Sequence, residues 1–439
     1  MKRDIQKTLL KWKNHPMRMP LIVRGARQVG KTYIIEAFGN AEFKQLLTIN
    51  LETSSKYKAC FESLDPKIII REIELVSNKK IIPGETLLFL DEIQQAPKAL
   101  QALRYFKEKM PELHVIAAGS LLEFAIQDEE FSFPVGRVQF VRLYPLSFEE
   151  FLDALGENNL RQELDTFDLE HPPSSALHQH LIDRMREYFV VGGMPAAVQT
   201  FIKLYSFLEV KYIQKAIWDT YENDFGKYAP KAIHRHLRKI FHETPRLIGD
   251  HIKYSQIDPE LPNPQREMKR AIELLKLAGL LHPVFATSAG DVPLMAGVNE
   301  SIFKLLCLDI GLVEQAVDLD PQNPGMMTGP LAEQFVGQEL LATGDALLET
   351  QLFFWNREKG TAEVDYLIAH KGTVFPIEVK AGKGGKLKSL HVFMQEKKSP
   401  LGIKISTQPL HLEKNILSIP LYLASHTVQL MTKAASPSS

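Results

Sequence analysis

The sequence predicts an α/β protein whose N-terminal part is built on a parallel sheet. Strand-like and helix-like segments alternate along the chain as far as Ser120. Two of the strand-like segments, TLLFLD and LHVIAA, are almost entirely apolar, and a glycine-rich turn joins the first strand to a helix. Strands that alternate with helices form parallel sheets, and strands buried on both faces have continuous apolar sequences. These three observations together define the fold class.

Length and composition predict several globular domains. The 439 residues correspond to about three domains, and 45% hydrophobic and 24% charged residues are ordinary for globular proteins. The net charge of −1 excludes a polybasic coat for nucleic acid, although local basic patches are averaged out in that number. Two cysteines, Cys60 and Cys307, exclude a disulfide scaffold and a cysteine-rich zinc site. No apolar run approaches the roughly 18 residues of a membrane helix, and the charged N-terminus does not resemble a signal peptide, so we expect a cytoplasmic protein.

Hydrophobic periodicity predicts the other elements of the N-terminal part. Apolar residues at three- and four-residue spacing indicate helices, and alternating apolar residues indicate strands. The predicted helices are YIIEAFG, residues 65–80 and KALQALRYFKEKM, and the predicted strand between the first two helices is LLTINLE.

The pattern becomes mostly helical after Arg142. We expect a loop over residues 156–180, a helical break at Gly192–Gly193, and a small helical unit over residues 231–300 that ends in a hairpin of HPVFAT and VPLMAG. Within that unit, Asn263 is the expected cap of a helix that ends at Gly279. Further on, we expect a helix after Leu331 and two strands, EVDYLIAH and VFPIEVKAG, joined by a turn at Lys371–Gly372.

The glycine-rich turn matches the phosphate-binding pattern G-x-x-x-x-G-K-[ST] and lies between a strand and a helix, as that pattern requires. Its glycines let main-chain N–H groups converge on phosphate oxygens, and the helix dipole adds to the attraction. Lys31 is expected to reach the β- and γ-phosphates, and the Thr32 hydroxyl to hold Mg²⁺. The sequence therefore predicts ATP and Mg²⁺ as cofactors, bound by Gly25, Ala26, Arg27, Gln28, Val29, Gly30, Lys31, Thr32 and Tyr33.

Four further residues extend this prediction. The strand TLLFLD places Asp91 and Glu92 at its end, where Asp91 would hold the metal and Glu92 would polarise the attacking water; an acid-rich helix start is the alternative. Ser120, at the end of the next strand, either senses the γ-phosphate or caps a helix. Arg137 is a candidate arginine finger, acting within its own subunit or across the interface of a homo-oligomer, or else a solvated surface residue.

With GARQVGKT, LDEIQ, AAGS and GRVQFVRLYPLSFEEF in place, the chain resembles bacterial and archaeal AAA+ ATPases of the STAND-related, archaeal-ATPase kind. GGMP, FKLLCLDIGL, LAEQFVGQELL and the EVDYLIAH…IEVK segment extend the resemblance over roughly residues 10–400. The resemblance implies a P-loop AAA+ core (1–150), a helical lid (151–230), a winged-helix unit (231–300), a C-terminal PD-(D/E)xK restriction-endonuclease-like α/β domain (301–400) and a tail (401–439).

The C-terminal strands carry a second group of polar residues. Asp365 followed by Glu378-x-Lys380 fits the pattern of metal-dependent nucleases, because alternate residues of a strand share a face and the turn brings Asp365 beside them. Asp365 and Glu378 would bind Mg²⁺ and Lys380 would orient or deprotonate water. Glu333 resembles the extra acid of such folds. The alternative is a cross-strand ion pair on a solvated face.

Local basic clusters predict contact with the DNA backbone rather than with bases. They occur on a helix at residues 234–239, on the next helix as Arg266, Lys269 and Arg270, and after the nuclease-like motif as Lys383, Lys386 and Lys388. The leading hypothesis is an ATPase that acts on DNA, with a second nucleolytic site. A nucleotide-gated DNA-binding regulator and a protein-remodelling ATPase are the two alternatives.

Overall fold

The computed structural model describes residues 1–126, 136–257, 264–318, 327, 329–358, 360–380 and 387–435. The chain forms two compact units. The N-terminal unit consists of Lys2–Tyr144 and Asp345–Glu349, and the C-terminal unit consists of Met1, Pro145–Gly344 and Thr350–Ser439. Among the described residues, no helix combines the length and apolar character needed to cross a membrane.

The N-terminal unit contains a parallel sheet, as the sequence predicts, and the sheet has a fifth strand, β5, that is not predicted from the sequence. Its strand order is β2-β3-β4-β1-β5, and its pairs are all parallel. The strands are β1 (Leu21–Arg24), β2 (Gln45–Asn50), β3 (Thr86–Asp91), β4 (His114–Ala118) and β5 (Gln139–Arg142). The helices are α1 (Ile5–Asn14), α2 (Lys31–Glu42), α3 (Pro66–Ser77), α4 (Pro97–Lys109) and α5 (Leu122–Ile126).

The central strands of this sheet are buried, and their carboxyl ends lie at one edge of the sheet, where polar residues are found. All six residues of β3 and all five of β4 are buried, and they pack with α3 and α4 in one apolar core. The register places Asn50 opposite Asp91 and Val23 opposite Ala118, so the carboxyl ends of these parallel strands lie at one edge. Ligands bind at this edge in open α/β sheets.

The C-terminal unit begins with helices and ends in a mixed sheet. Its helices are α6 (Phe148–Ala154), α7 (Asn158–Leu164), α8 (Ser175–Val191), α9 (Pro195–Leu204), α10 (Phe207–Tyr228), α11 (His234–Glu243), α12 (Tyr254–Ile257), α13 (Pro264–Leu277), α14 (Ile310–Val317), α15 (Pro330–Ala342), α16 (Lys388–Lys397) and α17 (Thr427–Ala435). Its strands are β6 (Leu281–Thr287), β7 (Val298–Cys307), β8 (Phe353–Asn356), β9 (Glu363–His370), β10 (Thr373–Val379), β11 (Gly402–Ser406), β12 (His411–Glu413) and β13 (Ile416–Pro420).

The second sheet has the order β12-β13-β11-β10-β9-β8-β6-β7. Strands β9 and β10 form the expected hairpin, in which Thr373 pairs with His370 across the turn. Strands β6 and β7 form a second hairpin, and β6 also pairs with β8 in parallel. The hairpin after the helical unit is therefore continuous with the strands that carry Asp365 and Glu378.

Three segments differ from the sequence expectations. VPLMAG is a single helical turn, and the second strand of the hairpin is β7, which crosses the expected boundary at residue 300. The expected loop over 156–180 contains α7 and the start of α8. The residues after 400, expected as a tail, supply β11–β13 and α17. Asn263, the expected helix cap, lies outside the described residues.

Several motif segments of the C-terminal unit meet at a buried aspartate. Asp309 Oδ2 accepts from the Gly193 N–H at 2.6 Å, and its Oδ1 accepts from the Gly311 N–H at 3.1 Å. The Gly193 carbonyl in turn accepts from the Leu146 N–H at 2.7 Å. The segment that joins α8 to α9 is thus held against the start of α14 by main-chain groups, and burial raises the pKa of Asp309 to about 6.

Candidate functional site

The glycine-rich turn has the backbone of a phosphate-binding loop. Strand β1 ends at Arg24, and Gly25 follows with φ 139°, where an added Cβ would lie 2.2 Å from the Leu143 carbonyl oxygen. Gly30 caps α2 with φ 95°, so the helix begins at Lys31 with its N–H groups turned toward the loop. Only glycine fits both positions without strain. The loop and helix together form an anion site.

Lys31 is buried and lies over the loop. Its Nζ donates to the Gly25 and Ala26 carbonyl oxygens, both at 2.9 Å. Burial lowers the pKa of Lys31 to about 8, although the nearby carboxylates of Glu92 and Asp91 raise it. The ammonium is therefore held by weak neutral acceptors, which a phosphate can replace.

Asp91 ends β3 and faces the start of α2. Its Oδ2 accepts from the Thr32 Oγ1 hydroxyl at 3.1 Å and from Asn50 Nδ2 at 3.4 Å. Burial raises the pKa of Asp91, because desolvation disfavours its charged form. A hydroxyl and a carboxylate beside a phosphate loop are the oxygen ligands that Mg²⁺ takes in proteins, so the donor set fits this ion.

Glu92 is held by the end of the neighbouring strand. Its Oε2 accepts from the Ser120 N–H at 3.1 Å, from Ser120 Oγ at 3.0 Å and from Gln94 Nε2 at 2.6 Å. The residue has φ 51°, a left-handed conformation that non-glycine residues rarely adopt and that accompanies functional sites. Ser120 therefore contacts Glu92, the residue expected to polarise water.

The structure does not bring Arg137 to this group. Its Nε lies 3.0 Å from Glu108 Oε1 on α4, and the side chain is 47% exposed. Tyr33 is also exposed, at the start of α2. Among the expected residues, the loop, Lys31, Thr32, Asp91, Glu92 and Ser120 meet at one edge of the sheet.

The second group of expected residues lies in the C-terminal unit. Asp365 on β9 accepts from the Val379 N–H through Oδ2 at 2.7 Å. Lys380 Nζ lies 2.6 Å from Glu378 Oε1, while Glu378 Oε2 is buried and has no hydrogen-bond partner among the described residues. Burial and the charge of Asp365 raise the pKa of Glu378. Asp365, Glu378 and Lys380 therefore share one end of the β9–β10 hairpin.

Two further acids, Glu333 and Glu363, lie beside this group. We define the carboxylate cluster as Glu333, Glu363, Asp365 and Glu378, and Lys304 lies against it. Lys304 Nζ on β7 lies 2.6 Å from Glu333 Oε1 and 2.7 Å from Glu363 Oε1. Burial opposes the charge of Lys304, but the surrounding carboxylates outweigh it and raise the pKa of this lysine. Burial raises the pKa of Glu333.

The basic residues expected at DNA are exposed on α13. Arg266, Lys269 and Arg270 are all exposed, and Lys269 Nζ lies 3.0 Å from Glu300 Oε2 on β7. Helices α11, α12 and α13 precede the β6–β7 hairpin. Lys383 and Lys386 lie outside the described residues.

Sequence reasoning missed three contributors. Asn50 reaches Asp91 because β2 is its parallel neighbour, and Gln94 holds Glu92 from the turn after β3. Lys304 was passed over as one charge in the apolar run FKLLC. Asn50 could have been found as a polar residue at the end of a strand. Lys304 could have been found as a single charge within an apolar run.

The fold and this site define a P-loop nucleotide-binding protein of the parallel-sheet class. Residues 17–152 match the family model described as an AAA domain. Residues 182–323 match a domain of unknown function, DUF8612, and residues 328–423 match another, DUF4143. The chain therefore contains an AAA-type ATPase domain, which binds ATP with Mg²⁺.

The solved structures that match the chain have low sequence identity to it and TM-scores below 0.5. A Walker-type ATPase of Pyrococcus abyssi has 16% identity over 72% of this chain and 95% of its own, with a TM-score of 0.43. The Aeropyrum pernix ORC1 protein in complex with DNA has 14% identity over 72% of this chain and 91% of its own, with a TM-score of 0.29. AMPPCP-bound DnaA from Aquifex aeolicus has 13% identity over 62% of this chain and 87% of its own, with a TM-score of 0.28. No curated protein matches the chain.

Proposed function

We propose that the chain is an ATP-driven protein that acts on DNA, with ATP hydrolysis in the N-terminal unit and DNA contact and phosphodiester chemistry in the C-terminal unit. One observation carries the proposal: the Thr32 hydroxyl lies 3.1 Å from Asp91 Oδ2, beside a loop whose lysine donates to the carbonyl oxygens of Gly25 and Ala26. This is the arrangement that a Mg²⁺–triphosphate requires.

In the proposed mechanism, the main chain of residues 25–33 and the Lys31 ammonium hold the triphosphate. Thr32 and Asp91 hold Mg²⁺, which supplies charge neutralisation at the β- and γ-phosphates when bound. Lys31 leaves the carbonyl oxygens of Gly25 and Ala26 and donates to phosphate oxygens instead. Asn50 keeps the Asp91 carboxylate oriented through its 3.4 Å contact.

Glu92 then orients the attacking water. To do so, its Oε2 must give up at least one of its three donors, from Ser120 and Gln94. On this proposal, Ser120 holds Glu92 through its two hydrogen bonds until ATP is bound. Ser120 then senses the γ-phosphate and releases Glu92. We propose that Arg137 acts across the interface of a homo-oligomer, because its side chain is exposed.

DNA contact is proposed for the helical unit. Exposed cations on α13 suit phosphate oxygens, and three helices followed by a hairpin match the order of a winged helix. On this proposal, residues 151–230 form the lid and residues 231–300 form a winged-helix unit. Its hairpin strand β7 continues beyond residue 300 into the proposed nuclease-like domain.

Phosphodiester chemistry is proposed for the carboxylate cluster. The residues fit a divalent cation, because Glu378 Oε2 is buried without a hydrogen-bond partner among the described residues and Asp365 Oδ1 has one contact, at 3.5 Å from Lys304 Nζ. Asp365 and Glu378 would hold the cation, which supplies charge stabilisation at the scissile phosphate when bound. Lys380 would orient the attacking water.

A nucleotide-gated DNA-binding regulator with a silent nuclease fold is the second candidate. The ion pairs of Lys304 and Lys380 favour it, because they neutralise part of the cluster without a metal. In that case the C-terminal unit binds DNA and never cuts it.

One experiment with two readouts separates these functions. Phosphate release and strand breaks are measured together on the full chain, with and without DNA, in Mg²⁺ and then in Mn²⁺. We expect Lys31→Ala to reduce ATP hydrolysis by at least about 100-fold, since the loop ammonium proposed to hold the phosphates is removed. We expect Asp365→Asn to hydrolyse ATP normally and to lose strand breaks.

Each variant is the control for the other, because their residues lie in different units. Unchanged phosphate release in Lys31→Ala would refute the ATP site. Phosphate release without strand breaks in the wild type would favour the regulator.

A further inference from the structure

The carboxylate cluster contains a cation of its own. The Lys304 side chain is 2% exposed, and its Nζ lies 2.6 Å from Glu333 Oε1, 2.7 Å from Glu363 Oε1 and 3.5 Å from Asp365 Oδ1. Three carboxylates from α15 and β9 therefore surround one ammonium. Metal ions in clusters of acids are surrounded by several carboxylates in the same way. Unlike a metal ion, the Lys304 ammonium cannot dissociate, because it is part of the chain.

At the other end of the cluster, the Glu378 carboxylate is only partly paired among the described residues. Glu378 is 6% exposed at its side chain; Oε1 pairs with Lys380, and Oε2 has no hydrogen-bond partner in the described part of the chain. A buried carboxylate oxygen without a partner is costly and indicates a group that binds there. Asp365 Oδ2 is already held by the Val379 N–H at 2.7 Å, which leaves Oδ1 to share.

We propose that Lys304 takes the place of a second metal ion, so that the carboxylate cluster binds a single divalent cation, held by Asp365 and Glu378. This inference rests on the metal site of the proposed function and adds its stoichiometry and the residue that sets it.

Charge balance supports a single ion. Among the described residues, the four carboxylates of the cluster face two ammonium groups, Lys304 and Lys380. His251 lies 2.9 Å from Glu363 on the exposed side and is left out of the sum. Two negative charges remain when every carboxylate is ionised. One divalent cation balances them, whereas two would leave an uncompensated positive charge in a largely buried site.

The test counts Mn²⁺ bound to the nucleotide-free full chain, from the electron paramagnetic resonance signal of free Mn²⁺. The Asp365→Asn/Glu378→Gln double variant gives the baseline for ions bound elsewhere. We expect the wild type to bind one ion above this baseline and Lys304→Ala to bind two, since the ammonium is gone and its space is open. Lys304→Arg, which keeps the charge, should bind one.

The possible results separate this inference from the function on which it rests. Two ions in the wild type, or one in a folded Lys304→Ala, would overturn the role of Lys304 and leave the metal site standing. No ion above the baseline in the wild type would overturn the metal site, and the inference with it. If Lys304→Ala does not fold, Lys304→Gln, which also removes the charge, is counted in its place, and one ion in that variant would overturn the role of Lys304.

Discussion

Lys31 is the residue at which the ATP site responds to pH. Burial lowers its pKa to about 8 in the nucleotide-free protein, and a bound triphosphate raises it again. Below this pKa the ammonium is already charged before ATP arrives, so affinity is insensitive to pH. Above it, ATP must bind together with a proton, so affinity falls as pH rises, by up to about tenfold per pH unit.

This first prediction is checked by measuring the Kd of ATP from pH 7 to pH 9.5 at constant Mg²⁺. Lys31→Arg is the matched control, because a guanidinium stays protonated over this range and its affinity should not change with pH. A wild-type affinity that stays constant to pH 9.5 would contradict the position of Lys31 among its carbonyl partners.

The residues of the ATP site and those around the carboxylate cluster differ in how far the sequence alone predicts them. Lys31 and Thr32 belong to one short loop whose spacing alone indicates phosphate binding. Asn50 and Lys304 act on residues that are distant in sequence, and only strand order and register bring them together. No local pattern encodes such pairs, so one sequence predicts the first kind of residue and misses the second.

The segment between α8 and α9 depends on a glycine that no other residue replaces. Gly192 has φ 68° and ψ −170°, and an added Cβ would lie 2.1 Å from Asp309 Oδ1. Gly192→Ala must therefore displace the Asp309 carboxylate from its N–H donors. We expect a destabilisation of roughly 2–4 kcal/mol, felt in α8 and α14.

Amide hydrogen exchange of the full chain, read peptide by peptide, checks this prediction. Gly226→Ala on α10 is the matched control, since an added Cβ there meets no atom within 4 Å. Alanine in a helix should be neutral or stabilise by about 0.5–1 kcal/mol. Equal exchange at the end of α8 in both variants would show that the Asp309 junction does not hold this segment.

Elements were predictable where local periodicity and burial agree. The central strands β3 and β4 are buried, largely apolar runs, and α3 and α4 repeat their apolar residues every three or four positions. The short strand β5, QFVR, has no such run and is not predicted. The short polar helix α7 was missed because its buried residues, Arg161 and Leu164, depend on tertiary partners; Arg161 pairs with Glu149. VPLMAG was misassigned because a short apolar run suits a strand or a helical turn equally well.

At the scale of the whole molecule, the proposed function requires that ATP binding in the N-terminal unit and DNA binding in the C-terminal unit are coupled. If bound ATP changes the affinity of the chain for DNA by some factor, bound DNA must change the affinity for ATP by the same factor. We expect a factor of about 5 to 150, the usual range of such coupling. The measurement is the Kd of a non-hydrolysable ATP analogue with and without saturating DNA, and the Kd of DNA with and without the analogue.

The charge-reversal variant Arg266→Glu/Lys269→Glu/Arg270→Glu is the matched control for this coupling. It should lose salt-dependent DNA binding, since three exposed cations on α13 become anions, while its ATP affinity without DNA stays at the wild-type value. Equal affinities for ATP with and without DNA in the wild type would mean that the units act independently, and a chain without DNA affinity at low salt would remove DNA from the proposal. In that second case the exposed apolar side chains at the α9–α10 turn, Leu204, Tyr205 and Leu208, become the surface to test against a protein partner, because exposed apolar patches of this kind are typical of protein contacts.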